Sequence, residues 1–200
     1  MTALLLIAAM LVANGAPSVA APHNFVDITS VTDGAIMDIK YATADNFVGE
    51  RIDGYEAAKC YLTPQTARAL AAAQDKLETM KLRLRIFDCY RPQRAVDHFV
   101  RWAADLSDTK TKASYYPRVP KNELFEQGYI AEKSGHSRAS TVDLTIDELD
   151  MGASFDYFDS LSHTASPDVP LQARANRMLL KAVMEEAGFK NYEAEWWHFT

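Results

Sequence analysis

Three separated stretches of this chain carry the residue types that metal-assisted hydrolysis needs. Ser134-Gly135-His136-Ser137-Arg138-Ala139-Ser140-Thr141-Val142-Asp143 sets a histidine and an aspartate seven positions apart across a turn of small residues. Close to the C-terminus, Glu195-Trp196-Trp197-His198 brings a second histidine with a carboxylate three positions before it. The third stretch, Asp88-Cys89-Tyr90-Arg91-Pro92, places a cation at the end of an apolar run. A catalytic zinc ion takes three ligands from imidazole nitrogen and carboxylate oxygen and keeps a fourth position for water, whose pKa it lowers toward ~7. His136, Asp143 and His198 would complete such a set, one ion per chain. Glu195 is the candidate to position the water and move its proton, and Arg91 the cation for a developing oxyanion.

Singly, these signals are weak. A histidine near a strand is more often structural, and Trp-Trp-His-Phe at a terminus reads equally well as a packed aromatic strand. His23, His98 and His163 are not excluded as ligands by counting alone, although His98 falls in a helical apolar pattern and His163 follows an acidic loop. Strand geometry adds two demands. Residues seven apart on a regular strand face opposite sides, so the turn at Ser137 to Ser140 must fold His136 back beside Asp143. Glu195 and His198, three apart, need a bend or bulge to share a face.

The elements that would position these residues can be read from periodicity. Val26 to Ile28 and Ile36 to Ile39 are β-prone runs separated by the turn Thr32-Asp33-Gly34 and are expected to form the first strands. Tyr41 to Gly49 and Ile52 to Tyr55 make a polar, aromatic loop of the kind that lines sites, though its tyrosines could equally cover the core. Thr63 as N-cap and Pro64 at the first helical position start a helix, with Leu70, Leu77 and Met80 in its apolar stripe. Leu82, Leu84 and Ile86 alternate with Arg83, Arg85 and Phe87 as a half-buried strand. Pro92 opens a second helix whose apolar face takes in Val96, Phe99, Val100 and Ala103. Lys110 to Gly128 reads as a long loop. Alternation of Val142, Leu144 and Ile146 with Asp143 predicts another strand, with Asp143 on the opposite face. A loop over Met151 to Asp159, a helix over Leu171 to Ala187 stopped by Gly188, and a last strand over Tyr192 to Phe199 complete the chain. Strands and helices mix without strict alternation, which favours a single α+β domain: a mainly antiparallel sheet flanked by helices, with the metal site on the sheet.

Composition is consistent with one core. The 200 residues are 48% hydrophobic and 24% charged, enough for a sizeable single domain. A formal net charge of -6 argues against a nucleic-acid partner, which usually needs a basic surface. Ala3 to Val12 is an apolar run too short to span a bilayer, and Ser18 and Ala20 suit signal-peptide cleavage before Ala21. Residues 1–20 are therefore expected to be a signal and 21–200 the domain, in a periplasmic or secreted protein. No Lys or Arg precedes the run, and no Cys follows it to carry a lipid anchor, so no stable membrane anchor is expected after cleavage. Export would allow Cys60 and Cys89 to pair; the alternative is two buried thiols. Oligomeric state is not legible here.

Five motifs in order resemble the D-alanyl-D-alanine dipeptidase family of the VanX type: YATADNFVG with its nearby DGY, DCYRPQRAV, SGHSRASTVDLTI, MGASFDYFD and EWWHF. The resemblance spans nearly the whole chain after the apolar run. It implies zinc held by His136, Asp143 and His198, Glu195 as general base, and Arg91 as the transition-state cation. It also implies that Asp156, with Ser134, Tyr41 and Tyr55, recognises the amino group of a small D,D-dipeptide. The nearest alternatives are a carboxypeptidase or endopeptidase acting on peptidoglycan stem peptides, and a non-catalytic zinc-stabilised binding domain. Ala139 departs from the family pattern, which usually has Gly there. If that position needs positive φ, its methyl group costs about 1–2 kcal/mol.

Overall fold

A computed structural model describes residues 24–200. The expected signal segment, its junction before Ala21, and His23 lie outside the described residues. Short strands β1 (Val26–Asp27), β2 (Ile36–Met37) and β3 (Tyr61–Leu62) precede helix α1 (Pro64–Glu78) and strand β4 (Leu84–Asp88). Helices α2 (Gln93–Ala104) and α3 (Lys112–Tyr115), strand β5 (Val142–Ile146), helix α4 (Leu171–Glu186) and strand β6 (His198–Phe199) follow. The main sheet has the order β2-β4-β5-β6, with β2 parallel to β4 and the other pairs antiparallel. β1 and β3 form a separate antiparallel pair. The α+β class is as expected, and the sheet is mixed rather than purely antiparallel.

Local chemistry accounts for the helices. The Thr63 hydroxyl accepts from the Thr66 N–H at 3.2 Å, satisfying one of the free donors at the start of α1. Leu70 and Leu77 are fully buried, each contributing roughly 1.5–3 kcal/mol by removal from water. Gln74, also fully buried, accepts from the Leu84 N–H at 2.8 Å and so ties α1 to the start of β4. The helix stops at Glu78, short of Met80, which is 40% exposed. α1 packs against α4, and α4 against β5. Gly188, at φ +97°, ends α4 as its position in the sequence predicts.

Five expectations need correction. Pro92 is the N-cap of α2 rather than its first helical residue, and Trp102 rather than Val100 completes the buried face, following the 3.6-residue period from Ala95 and Phe99. The strand expected from Val26 stops at Asp27, whose carboxylate caps a 3-10 turn over Ile28–Ser30. Lys110 to Gly128 is not all loop, since it holds α3 and a 3-10 turn over Lys121–Glu123. The strand expected from Tyr192 is only β6; before it the chain turns, with the Glu195 N–H donating to the Tyr192 carbonyl at 3.0 Å and the His198 N–H to the Glu195 carbonyl at 3.3 Å. Those turn bonds are the bend that Glu195 and His198 required.

Two further features fix the site. The β4–β5 register slips between Ile86, opposite Leu144, and Asp88, opposite Asp143. Unbroken pairing would have put Phe87 there, so this bulge carries Asp88 to Asp143. Cys60 and Cys89 form a disulfide, joining the start of β3 to the end of β4.

Candidate metal centre

His136 is placed by a tight turn. The Ser134 hydroxyl accepts from the His136 N–H at 3.2 Å, residues Gly135–Arg138 form a 3-10 turn, and Ala139 closes it at φ 55°, ψ 28°. Ala139 is thus left-handed, at a cost of about 1–2 kcal/mol, and fully buried. Its N–H donates to the His136 carbonyl and its carbonyl accepts from Thr63 N–H, both at 2.9 Å. The turn folds His136 back beside Asp143 on β5, while β6 pairs His198 directly with Asp143.

These three side chains converge. Asp143 Oδ2 is 3.2 Å from His136 Nε2, and Asp143 Oδ1 is 3.0 Å from His198 Nδ1. One ligand atom from each lies within 4.8 Å of the others. His136 Nδ1 is 2.7 Å from the Cys89 carbonyl, which can only accept, so Nδ1 carries a proton and Nε2 is the nitrogen left to face a metal. Although buried, His136 Nε2 and Asp143 Oδ1 make no hydrogen bond among the described residues, which ordinarily costs about 1–3 kcal/mol per group. Short separations between atoms that are not aligned as hydrogen bonds are what a shared cation explains. Two imidazoles and one carboxylate are a donor set that suits a divalent metal with an open coordination position. Burial pushes the Asp143 carboxyl up, but the two imidazoles outweigh it and hold the group well below the usual carboxylate range.

A cavity of about 230 Å³ opens beside this cluster, lined also by Arg91, Glu195, Asp156, Tyr41 and Ser134. Glu195 Oε2 lies 3.5 Å from His198 Nδ1. Burial pushes Glu195 up to about 7, with Asp143 adding to the effect and His198 and Arg91 opposing it. The Arg91 guanidinium is held by Asp88 Oδ2, at 3.0 Å from Nε and 2.9 Å from Nη2, and its Nη2 lies 3.5 Å from Asp143. Its Cζ also sits 5.1 Å from the Tyr41 and Phe99 ring centroids. Asp156 is left-handed at φ 58°, 5% exposed, and accepts from the Tyr41 hydroxyl at 2.9 Å. Burial pushes its carboxyl well above the usual range; Asp143 and Glu195 add to this, whereas Tyr41 and Arg91 oppose it.

Of the residues singled out in the sequence, His136, Asp143, His198, Glu195, Arg91, Asp156, Ser134 and Tyr41 meet at this cavity. Tyr55 does not reach its wall: it is buried behind Arg91, with its hydroxyl donating to Asp88 Oδ1 at 2.5 Å. His98 is elsewhere, 3.1 Å from Glu50. Asp88 had been only part of a motif. Fully buried, it joins Arg91, Tyr55 and the His136 ring, whose Nδ1 is 3.3 Å away, and the β4 bulge that places it leaves no mark in the alternation.

A family model described as Peptidase_M15, D-ala-D-ala dipeptidase, matches residues 21–200. The chain is 43% identical to a D-alanyl-D-alanine dipeptidase of Streptomyces coelicolor, over 88% of this chain and 91% of that protein. It is 40% identical to one of Enterococcus faecium, over 88% and 90%, and 35% identical to one of Escherichia coli, over 87% and 82%. A match of that extent, on a chain whose buried imidazole and carboxylate atoms converge without partners, shows that it belongs to the Peptidase_M15 family and is a metallopeptidase.

Proposed function

We propose that this chain is a zinc-dependent D-alanyl-D-alanine dipeptidase acting in the periplasm or outside the cell, in scavenging or turnover of cell-wall dipeptides. The observation that carries it is the open His136–Asp143–His198 cluster facing a small cavity with a buried carboxylate, Asp156, in its wall. Two imidazoles and a carboxylate favour zinc, one ion per chain. When bound, zinc would activate a water molecule and polarise the scissile carbonyl.

The chain's own residues supply the rest. Glu195 accepts the proton of the attacking water and passes it to the leaving amine as the carbon–nitrogen bond breaks, releasing two D-alanines. Arg91, held in place by Asp88, offers its guanidinium to the negative charge developing on the carbonyl oxygen. Asp156 receives the substrate ammonium, with Tyr41 and Ser134 beside it, a charge-assisted contact that also favours its ionised form. Tyr55 acts one layer back, orienting Asp88.

Size supports a dipeptide over a stem peptide, because about 230 Å³ falls below the roughly 300–1,000 Å³ of pockets for drug-sized ligands. Export is supported by the apolar run at Ala3 to Val12, read as a signal over residues 1–20 ahead of a catalytic domain over 21–200, and by the pairing of Cys60 with Cys89. The test is a hydrolysis panel of free D,D, L,D and L,L dialanines beside a stem pentapeptide, with chelator and with zinc restored. D-alanine release from the D,D-dipeptide alone, lost with chelator and regained with zinc, is expected. Comparable release from the pentapeptide would move the reading to a carboxypeptidase, and no release from any substrate would reject it.

A further inference from the structure

Arg177 lies inside α4, 1% exposed, away from the metal cluster. Its hydrogen bonds go to backbone carbonyls and to no carboxylate: Nε donates to Met151 at 2.6 Å, and Nη1 to Leu161 at 2.9 Å and to His163 at 2.7 Å. Nη2 is buried and has no hydrogen-bond partner among the described residues. A charge placed this way is costly, and a neutral side chain would fill the same space at less cost, so the packing alone does not account for an arginine.

The carbonyls it binds do. Met151 begins, and Leu161 and His163 end, the loop whose middle holds Phe155, Asp156 and Phe158. Asp156 and Phe158 line the cavity, and the Phe155 ring lies 5.4 Å from that of Trp197, another lining residue. A left-handed residue such as Asp156 keeps its conformation only where its surroundings impose it. Mid-loop, the Phe158 N–H donates to the Tyr115 carbonyl at 2.7 Å, while the two ends are gathered by one planar guanidinium. The same guanidinium lies 5.9 Å from the ring of Trp196, and the Trp196 backbone N–H donates to the Ser162 carbonyl at 3.0 Å. Trp196 directly follows Glu195, so Arg177 stands between the segment that carries Asp156 and the segment that carries Glu195 and His198.

We propose that Arg177 is a positioning residue for the ammonium subsite, fixing Asp156 relative to the metal cluster by tying both ends of the 151–163 loop to α4 without touching substrate. This rests on Asp156 being the ammonium acceptor. Lysine groups its three donors on one nitrogen and lacks the planar fork whose Nε reaches Met151 while Nη1 reaches Leu161 and His163, so it would not reproduce this grip.

The test compares apparent affinities for D-alanyl-D-alanine and for D-lactyl-D-alanine, which has a hydroxyl where the dipeptide has its ammonium, read as KM or as a competitive inhibition constant. Wild type, R177K, R177M and D156N are measured, each with its metal content. The preference for the ammonium ligand is expected to fall about tenfold in R177K and R177M, in the direction of D156N, with metal content unchanged. If R177M does not fold, R177K decides. A merely structural role would weaken both ligands in proportion; an unchanged preference in the Arg177 variants, with D156N reduced, overturns the proposal alone. An unchanged preference in D156N would overturn the Asp156 reading and this inference together.

Discussion

The two ends of the β4–β5 pair each bury an aspartate among basic side chains, and they do so to opposite effect. At one end Asp147, just past β5, is 6% exposed and accepts from Arg83 Nε at 3.1 Å and from Arg85 Nε and Nη2 at 2.9 and 2.7 Å. At the other, Asp143 faces His136, His198 and Arg91 at 3.0 to 3.5 Å, and its Oδ1 makes no hydrogen bond. Burial pushes both carboxyls up and their basic neighbours hold both below the usual range. The difference lies in geometry: the arginines at Asp147 aim N–H groups at oxygen and close the charge within the protein. At Asp143 one ligand atom from each of His136, Asp143 and His198 converges within 4.8 Å, and His136 Nε2 and Asp143 Oδ1 make no hydrogen bond among the described residues, which leaves room for a cation. A low carboxylate pKa therefore does not mark function in this molecule; the convergence of ligand atoms around Asp143 does.

The sharpest way to break that contrast is at the open end. Glu195→Gln keeps the shape of the cavity and removes the proton acceptor, so kcat should fall about 10²- to 10⁴-fold while the metal stays bound. Because Glu195 works deprotonated and burial raises it to about 7, activity should rise with pH on an acidic limb. A bound dication lowers that limb below 7, and the residual activity of Glu195→Gln should lack it. Full turnover in this variant would remove Glu195 from the mechanism. Arg91→Lys keeps a charge but loses the two-atom grip on Asp88, and kcat/KM should drop about 10²- to 10³-fold without loss of metal.

The closed end should behave as a stability element only. Asp147→Asn is expected to cost about 1–3 kcal/mol, seen in the melting temperature, with kcat/KM unchanged. The sign with pH follows from the lowered folded pKa. Asp147 contributes fully above the unfolded value of about 3.9 and loses that contribution as pH falls through the folded value, so wild type and variant should converge in acid. Loss of activity in Asp147→Asn would erase the distinction between the two ends.

What could be read in the sequence was local. Thr63 and Pro64 mark the start of α1, Gly188 marks the end of α4, and the alternation of Val142, Leu144 and Ile146 puts Asp143 on the other face of β5. The cost anticipated at Ala139 depends on a turn of a few residues, and the turn is left-handed there. The parts that escaped depend on partners distant in sequence. The bulge that sets Asp88 opposite Asp143 follows from how β4 meets β5; the spacing of Glu195 and His198 does call for a bend, but that a turn from Tyr192 replaces most of the expected strand follows from contacts that outweigh strand propensity. Arg177, in a helix rich in basic residues, looks like a solvated surface charge until the 151–163 loop is seen wrapped around it.

Calorimetric titration of zinc into chelator-stripped protein tests the comparison most directly, with wild type, Asp143→Asn and Asp147→Asn side by side. The expected result is one equivalent bound by wild type and by Asp147→Asn, and binding lost or sharply weakened in Asp143→Asn. Absence of saturable binding in wild type, or equal affinity in Asp143→Asn, would contradict the assignment of His136, Asp143 and His198 as a metal centre.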